Sequence, residues 1–154
     1  MMITIFIMKN KIEDKLLLFR AKKFAVNLKG LNSFSIYPLD NDIFLWHREK
    51  LKTAYAIDNR NDKISLEQPV KMNEIIRTMT SLLKIEKTSC CLVFEGKSVI
   101  SACVNDFHSF ITSVFRLNKT YDISLLFQSP DRVIPISDNE YDVDIYYENN
   151  SSLE

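Results

Sequence analysis

The stretch SCCLVFEGKSVISACVNDFHSF, Ser89 to Phe110, sets the reading of the whole chain. It holds all three cysteines, Cys90, Cys91 and Cys103, and one of the two histidines, His108. Its first half is apolar on both sides of Glu95-Gly96, a dipeptide suited to a two-residue hairpin turn. That turn pairs Phe94 with Lys97, Leu92 with Val99 and Cys90 with Ser101. Side chains alternate along a strand, so Cys90 and Cys91 face opposite sides of the sheet. Cys103 falls diagonally from Cys90, on the same side. The second half reads as a helix with Asn105 or Asp106 as its N-cap. Phe107, Phe110, Ile111, Val114 and Phe115 repeat at i, i+3, i+4, i+7 and i+8 and point inward. His108, Ser109, Thr112 and Arg116 then point outward.

This geometry argues against chemistry at the cysteines. Cys90 and Cys91 cannot share one ion, His108 turns away from both, and no C-x-x-C pair is present. A Cys–His nucleophile needs thiol and imidazole within hydrogen-bond reach, and nothing brings His47 to Cys103. The only glycines are Gly30 and Gly96. Phosphate-cradling loops use clustered glycines, because the backbone must approach the phosphates closely. There is no G-x-S-x-G elbow and no H-E-x-x-H. The expectation is therefore a protein that is not an enzyme and takes no metal, cofactor or small-molecule substrate.

Outward from the hairpin, the elements follow in order. KIEDKLLLFRAKKFAVNLKG carries Ile12, Leu16, Leu17, Phe19, Phe24 and Leu28 near helical spacing, with Gly30 as a stop. The preceding MITIFIM suits either a short strand or a helix start. Phe34–Leu39, Ile43–Arg48, Leu51–Asp58 and Lys63–Glu67 are short runs broken by DND, EK and NRND, the pattern of an antiparallel meander. Met72, Ile75, Ile76, Met79, Leu82 and Leu83 form one helical stripe. TYDISLLFQ, RVIPIS and EYDVDIYYE alternate as strands. The expected fold is a single α+β domain over residues 1–148. In it, an antiparallel sheet of meander, hairpin and C-terminal strands packs against about three helices. Residues 149–154 read as a polar tail ending in a cloning remnant.

The chain has 154 residues with 20 basic and 20 acidic, so it is formally neutral. That balance argues against general nucleic-acid binding. The charges are nevertheless segregated. Lys9 to Lys29 carries seven basic residues against two acidic, and Tyr121 to Glu154 carries eight acidic against Arg132. No run is apolar over the 20 or so residues that span a bilayer. An odd cysteine count fits a reducing compartment, so the expected location is cytoplasmic, with no membrane partner.

What remains is protein binding. Tyr37 to Val70, YPLDNDIFLWHREKLKTAYAIDNRNDKISLEQPV, resembles the proline-leucine lead-in, acidic turn, three strands and proline exit of the class I effector chaperones of type III secretion. SCCLVFEGKSVISACVNDFHSFITSVFRL is similar to their last two strands and final helix. The resemblance covers Ile12 to Leu117. The neutral charge and the strand-rich segment after Tyr121 depart from that family. The resemblance implies a homodimer that holds a secreted effector's N-terminal segment in extended form. The alternative is an immunity protein that neutralises a co-expressed bacterial toxin.

In the meander reading, Phe44, Trp46 and Tyr55 share one face, which either anchors a partner or, with the alanine face wet, forms the core. Ile43, Leu45, Ala54 and Ala56 share the face that would pack on a helix. Asp142 and Asp144, in the acidic C-terminal third, are the expected contacts for a basic partner. Ile75, Ile76, Met79 and Leu83 are the expected dimer interface.

Overall fold

The computed structural model describes residues 2–53, 62–83, 88–128 and 131–147, with residues 2–10, Asp62, Leu83 and Thr88 described by backbone alone. The element order is α1 (Met2–Val26), β1 (Leu31–Pro38), a 3-10 turn (Asp42–Phe44), α2 (Leu45–Thr53), β2 (Asp62–Glu67), α3 (Met72–Leu83), β3 (Thr88–Phe94), β4 (Ser98–Val104), α4 (Phe107–Asn118), β5 (Ile123–Phe127), β6 (Arg132–Asp138) and β7 (Asp142–Tyr147). The strands form one antiparallel sheet in the order β1-β4-β3-β5-β6-β7-β2. This is an α+β fold, as the sequence reading expects, with four helices among the described residues where about three were expected.

The meander is corrected. Its first and last runs are strands, but Ile43–Arg48 and the start of Leu51–Asp58 are helical. The DND that reads as a hairpin turn is a helix-start signal. Asn41 accepts a hydrogen bond from the Ile43 amide through its side chain and caps the 3-10 turn. Phe44, His47 and Leu51 then follow at i, i+3 and i+7 and face the sheet. Ala54, Tyr55 and Ala56 lie outside the described residues, as do 149–154.

Each face of the sheet has its own core. On one face, α1, α3 and α4 cover Cys90, Leu92, Ile100, Ala102, Leu125, Ile134, Val143 and Ile145. All five apolar positions expected along α4 are buried there, and Asp106 is the N-cap, accepting from Ser109 N at 3.1 Å. On the other face, the 3-10 turn and α2 cover Cys91, Val99, Leu126 and Val133 with Phe44.

Cys90 and Cys91 therefore open to opposite faces, as expected. The hairpin register is shifted by one, however. Glu95 and Gly96 take positive φ and Lys97 N reaches Phe94 O at 3.2 Å, but the ladder resumes at Phe94–Ser98, leaving Lys97 as an extra residue. A slip of one residue moves a whole strand's side chains to the other face. Cys103 thus pairs with Ser89 and shares Cys91's face, not that of Cys90, and it is exposed.

Gly30 ends α1 more tightly than a generic stop. Its carbonyl accepts from the amides of Asn105 and Asp106 at 2.8 and 3.0 Å. Its φ is +72°, and a Cβ there would collide with the Asp106 carbonyl oxygen and come within 2.8 Å of the Phe110 nitrogen. A bare backbone is needed to bring the end of α1 against the start of α4. In the middle of the sheet, β3 and β5 pair only at Cys91–Leu126 and Leu92–Leu125. Beyond that point they part around a cleft of about 540 Å³ whose wall includes Phe24, Phe94, Asp122 and Ile123.

Candidate functional site

The fold redistributes the residues that the sequence singles out. Phe44 is 1% exposed and sits in the core between Tyr37 and His47, with ring centroids at 6.2 and 6.1 Å. It cannot anchor a partner, because the helix that replaces the expected strand turns it inward. Trp46, two residues on, is 36% exposed and rests edge-on against His47 at 5.2 Å, with Lys50 Nζ 5.5 Å from its ring centroid. Ile43 and Leu45, expected to pack beneath a helix, are instead on the surface.

Asp142 and Asp144 are corrected as a pair of free acidic contacts. Asp144 is buried, accepting from Ser65 Oγ at 2.6 Å and Asn139 Nδ2 at 3.0 Å, with Lys63 Nζ at 3.9 Å. Those bonds hold β2 to β7, so the carboxylate is committed within the chain. Asp142 is half-buried opposite Glu67 on the same ladder.

The expected dimer interface is likewise taken up inside the molecule. Ile75, Ile76 and Met79 are essentially inaccessible in the core that α3 shares with α4 and the sheet. An amphipathic stripe reveals that it is buried but not what buries it. The side chain of Leu83 lies outside the described set.

His47 is the residue that sequence reasoning misplaced. It is 1% exposed, its Nε2 lies 2.8 Å from the carbonyl oxygen of Phe127, and Asp131 Oδ1 stands 3.6 Å away. The carbonyl can only accept, so Nε2 carries a hydrogen and donates it. Nδ1 is buried with no hydrogen-bond partner among the described residues. No cysteine or serine hydroxyl is hydrogen-bonded to this ring among the described residues, so the geometry is that of a structural tie. The signal was its spacing from Phe44 and Leu51, hidden because histidine is seldom counted in an apolar stripe.

The thiols are equally enclosed. Burial pushes the Cys90 thiol well above its usual pKa, with the neighbouring Cys91 adding to the rise. Burial also raises Cys91, partly offset by a hydrogen bond with Ser101. Both stay protonated at neutral pH and are poor nucleophiles. Among the described residues no group of three or more His, Cys, Asp or Glu could hold a metal.

What the surface does offer is apolar. Ile43, Leu45 and Trp46 stand on a short helical segment whose inner face is locked by Phe44, His47 and Leu51. Arg48 fixes its approach, donating to the carbonyls of Leu39 and Asn41 at 2.8 Å each. Beside it runs a groove of about 740 Å³, walled by Leu17 and Leu18 of α1, Tyr37 and Leu39, and Arg48. The groove adjoins β1, an edge strand, whose outer backbone groups have no strand partner among the described residues.

Set against known proteins, the chain matches no family model, no curated protein and no solved structure.

Proposed function

We propose that this chain is a non-enzymatic protein-binding module that seats a segment of another protein against the Trp46 surface and the groove beside β1. One observation carries the reading. Three large apolar side chains, Ile43, Leu45 and Trp46, are held outward by a helix rigidly fixed from beneath. Clustered exposed apolar residues mark partner sites, and tryptophan is enriched among the residues that dominate binding energy. The free edge of β1 suits an extended guest, which adds main-chain hydrogen bonds to side-chain burial.

An extended guest is what an effector chaperone of the type III secretion class holds, and that is the first reading. No cofactor enters it. The second reading is an immunity protein for a basic toxin. Asp122, Asp131 and Glu140 favour it, since all three are exposed at the ends of the C-terminal strands. Affinity capture from the native host, with mass spectrometry of what co-purifies, separates the two. A secreted effector supports the first and a toxin the second. A Trp46→Ala bait that recovers the same protein undiminished removes the surface from both.

A further inference from the structure

Helix α1 is apolar on two opposite sides. Leu17, Ala21, Phe24 and Ala25, with Leu28 just beyond the helix, face the body of the protein. Ile12, Leu16, Phe19 and Val26 fall at i, i+4, i+7 and i+14 and form a second stripe pointing away from it. All four are exposed, Phe19 and Val26 at 66% each. The sequence reading set Phe19 on one stripe with Leu17 and Phe24; from Lys11 to Arg20 only Leu17 is even half-buried.

The second stripe has a basic border. Lys11, Lys15 and Lys22 run along one side, Lys23 falls in line with it, and Glu13 and Arg20 lie along the other. None of the four lysines has an ion pair among the described residues, whereas Arg20 is held by Glu95 at 2.9 Å. An apolar stripe rimmed by unpaired lysines complements a surface that is apolar beneath and anionic at the rim. A second copy of the chain does not, since it presents the same lysines and sets cation against cation.

We propose that α1 lies flat on an anionic lipid surface. Ile12, Leu16, Phe19 and Val26 enter the acyl boundary while Lys11, Lys15, Lys22 and Lys23 reach the headgroup phosphates. No helix among the described residues is long and apolar enough to cross a bilayer, and a surface-lying helix has no need to be. The stripe shares α1 with the groove beside β1, which Leu17 and Leu18 help to wall, but it is made of other residues of the helix.

Flotation of the full chain with phosphatidylglycerol–phosphatidylcholine vesicles tests this, with pure phosphatidylcholine vesicles as the reference. The chain should float with the anionic vesicles and stay behind with the neutral ones. Replacing a single stripe lysine should weaken the partition about five-fold, and 0.5 M salt, roughly a 4 Å screening length, should abolish most of it. Phe19→Asp, at an exposed position, should keep the circular dichroism and melting temperature of the parent but lose flotation. Absence of flotation overturns the proposal, as does retained flotation of Phe19→Asp. So does a doubled mass in light scattering that Phe19→Asp halves, or a captured acidic protein that Phe19→Asp releases. Either would give the stripe a protein occupant.

Discussion

The imidazole of His47 donates from Nε2 to the main-chain carbonyl of Phe127 at 2.8 Å, tying α2 to the end of β5 across one face of the sheet. His47→Leu keeps the volume and removes the donor, depriving the Phe127 carbonyl of this bond. It should cost about 1–3 kcal/mol in urea unfolding. His47→Gln can still offer an N–H to the same oxygen and should recover part of the loss. A variant His47→Leu as stable as the parent would show that the bond contributes nothing net.

Phe44 and Trp46 should separate sharply on truncation. Phe44→Ala empties the centre of the second core and should cost about 3–5 kcal/mol, lowering the melting temperature by many degrees. Trp46→Ala removes a side chain that is only partly covered, so its melt should lie much closer to the parent's. Its cost should appear in partner binding instead, at about 2 kcal/mol or more. Equal melting losses in the two variants would count against the surface role of Trp46.

The three cysteines should titrate as one plus two. Cys103 is exposed, whereas Cys90 and Cys91 are buried with raised thiol pKa values. Ellman's reagent on the native protein should release about one equivalent quickly, with the other two following only in denaturant. Cys103→Ser should abolish the fast phase.

Asp106 gives a pH signature. Hydrogen bonds from the amide and then the hydroxyl of Ser109 hold its carboxyl below the usual pKa. The folded state thus binds the proton less readily than the unfolded chain. The stabilisation is fully present above the ordinary carboxylate pKa and is lost as pH falls through the depressed one. Asp106→Ala should melt lower than the parent at pH 7, and the gap should narrow in acid below about pH 4. A gap that is constant from pH 7 down to acid would assign the loss to helix propensity rather than to the charged cap.

The parts of this fold that could be read from sequence are those where one period dominates. Phe107, Phe110, Ile111, Val114 and Phe115 have no competing strand pattern, and all are buried as expected. The C-terminal strands alternate well enough to be found, β6 to within one residue and β5 and β7 begun two or three residues early. IFLWH offered both periods at once. Ile43 and Leu45 against Phe44 and Trp46 satisfied a strand, while Phe44, His47 and Leu51 satisfied a helix. Only the sheet face beneath decides between them, by taking Phe44 and His47 together. The hairpin register turned on whether one residue, Lys97, joins the turn, which local composition does not encode. In α1, two apolar stripes compete and the sequence does not say which one meets the sheet. The candidate site suffered most, because Phe44, Asp144, Ile75, Ile76 and Met79 were all assigned by exposure, a tertiary property.

The ladder between β2 and β7 carries a consequence for biogenesis. Ile64 pairs with Ile145, about eighty residues downstream. At ribosomal speeds of 5–20 residues per second, β2 waits roughly 4–16 s for its partner to be made. During that interval it is a nascent strand with neither edge satisfied, a template for pairing with a neighbouring polypeptide. Its composition answers the hazard: Lys63 and Glu67 place opposite charges on one side of a six-residue strand, with Ser65 between them. When β7 emerges, Asp144 takes up Ser65 and approaches Lys63, so the residues that guarded the open strand become the ones that fasten it along one edge.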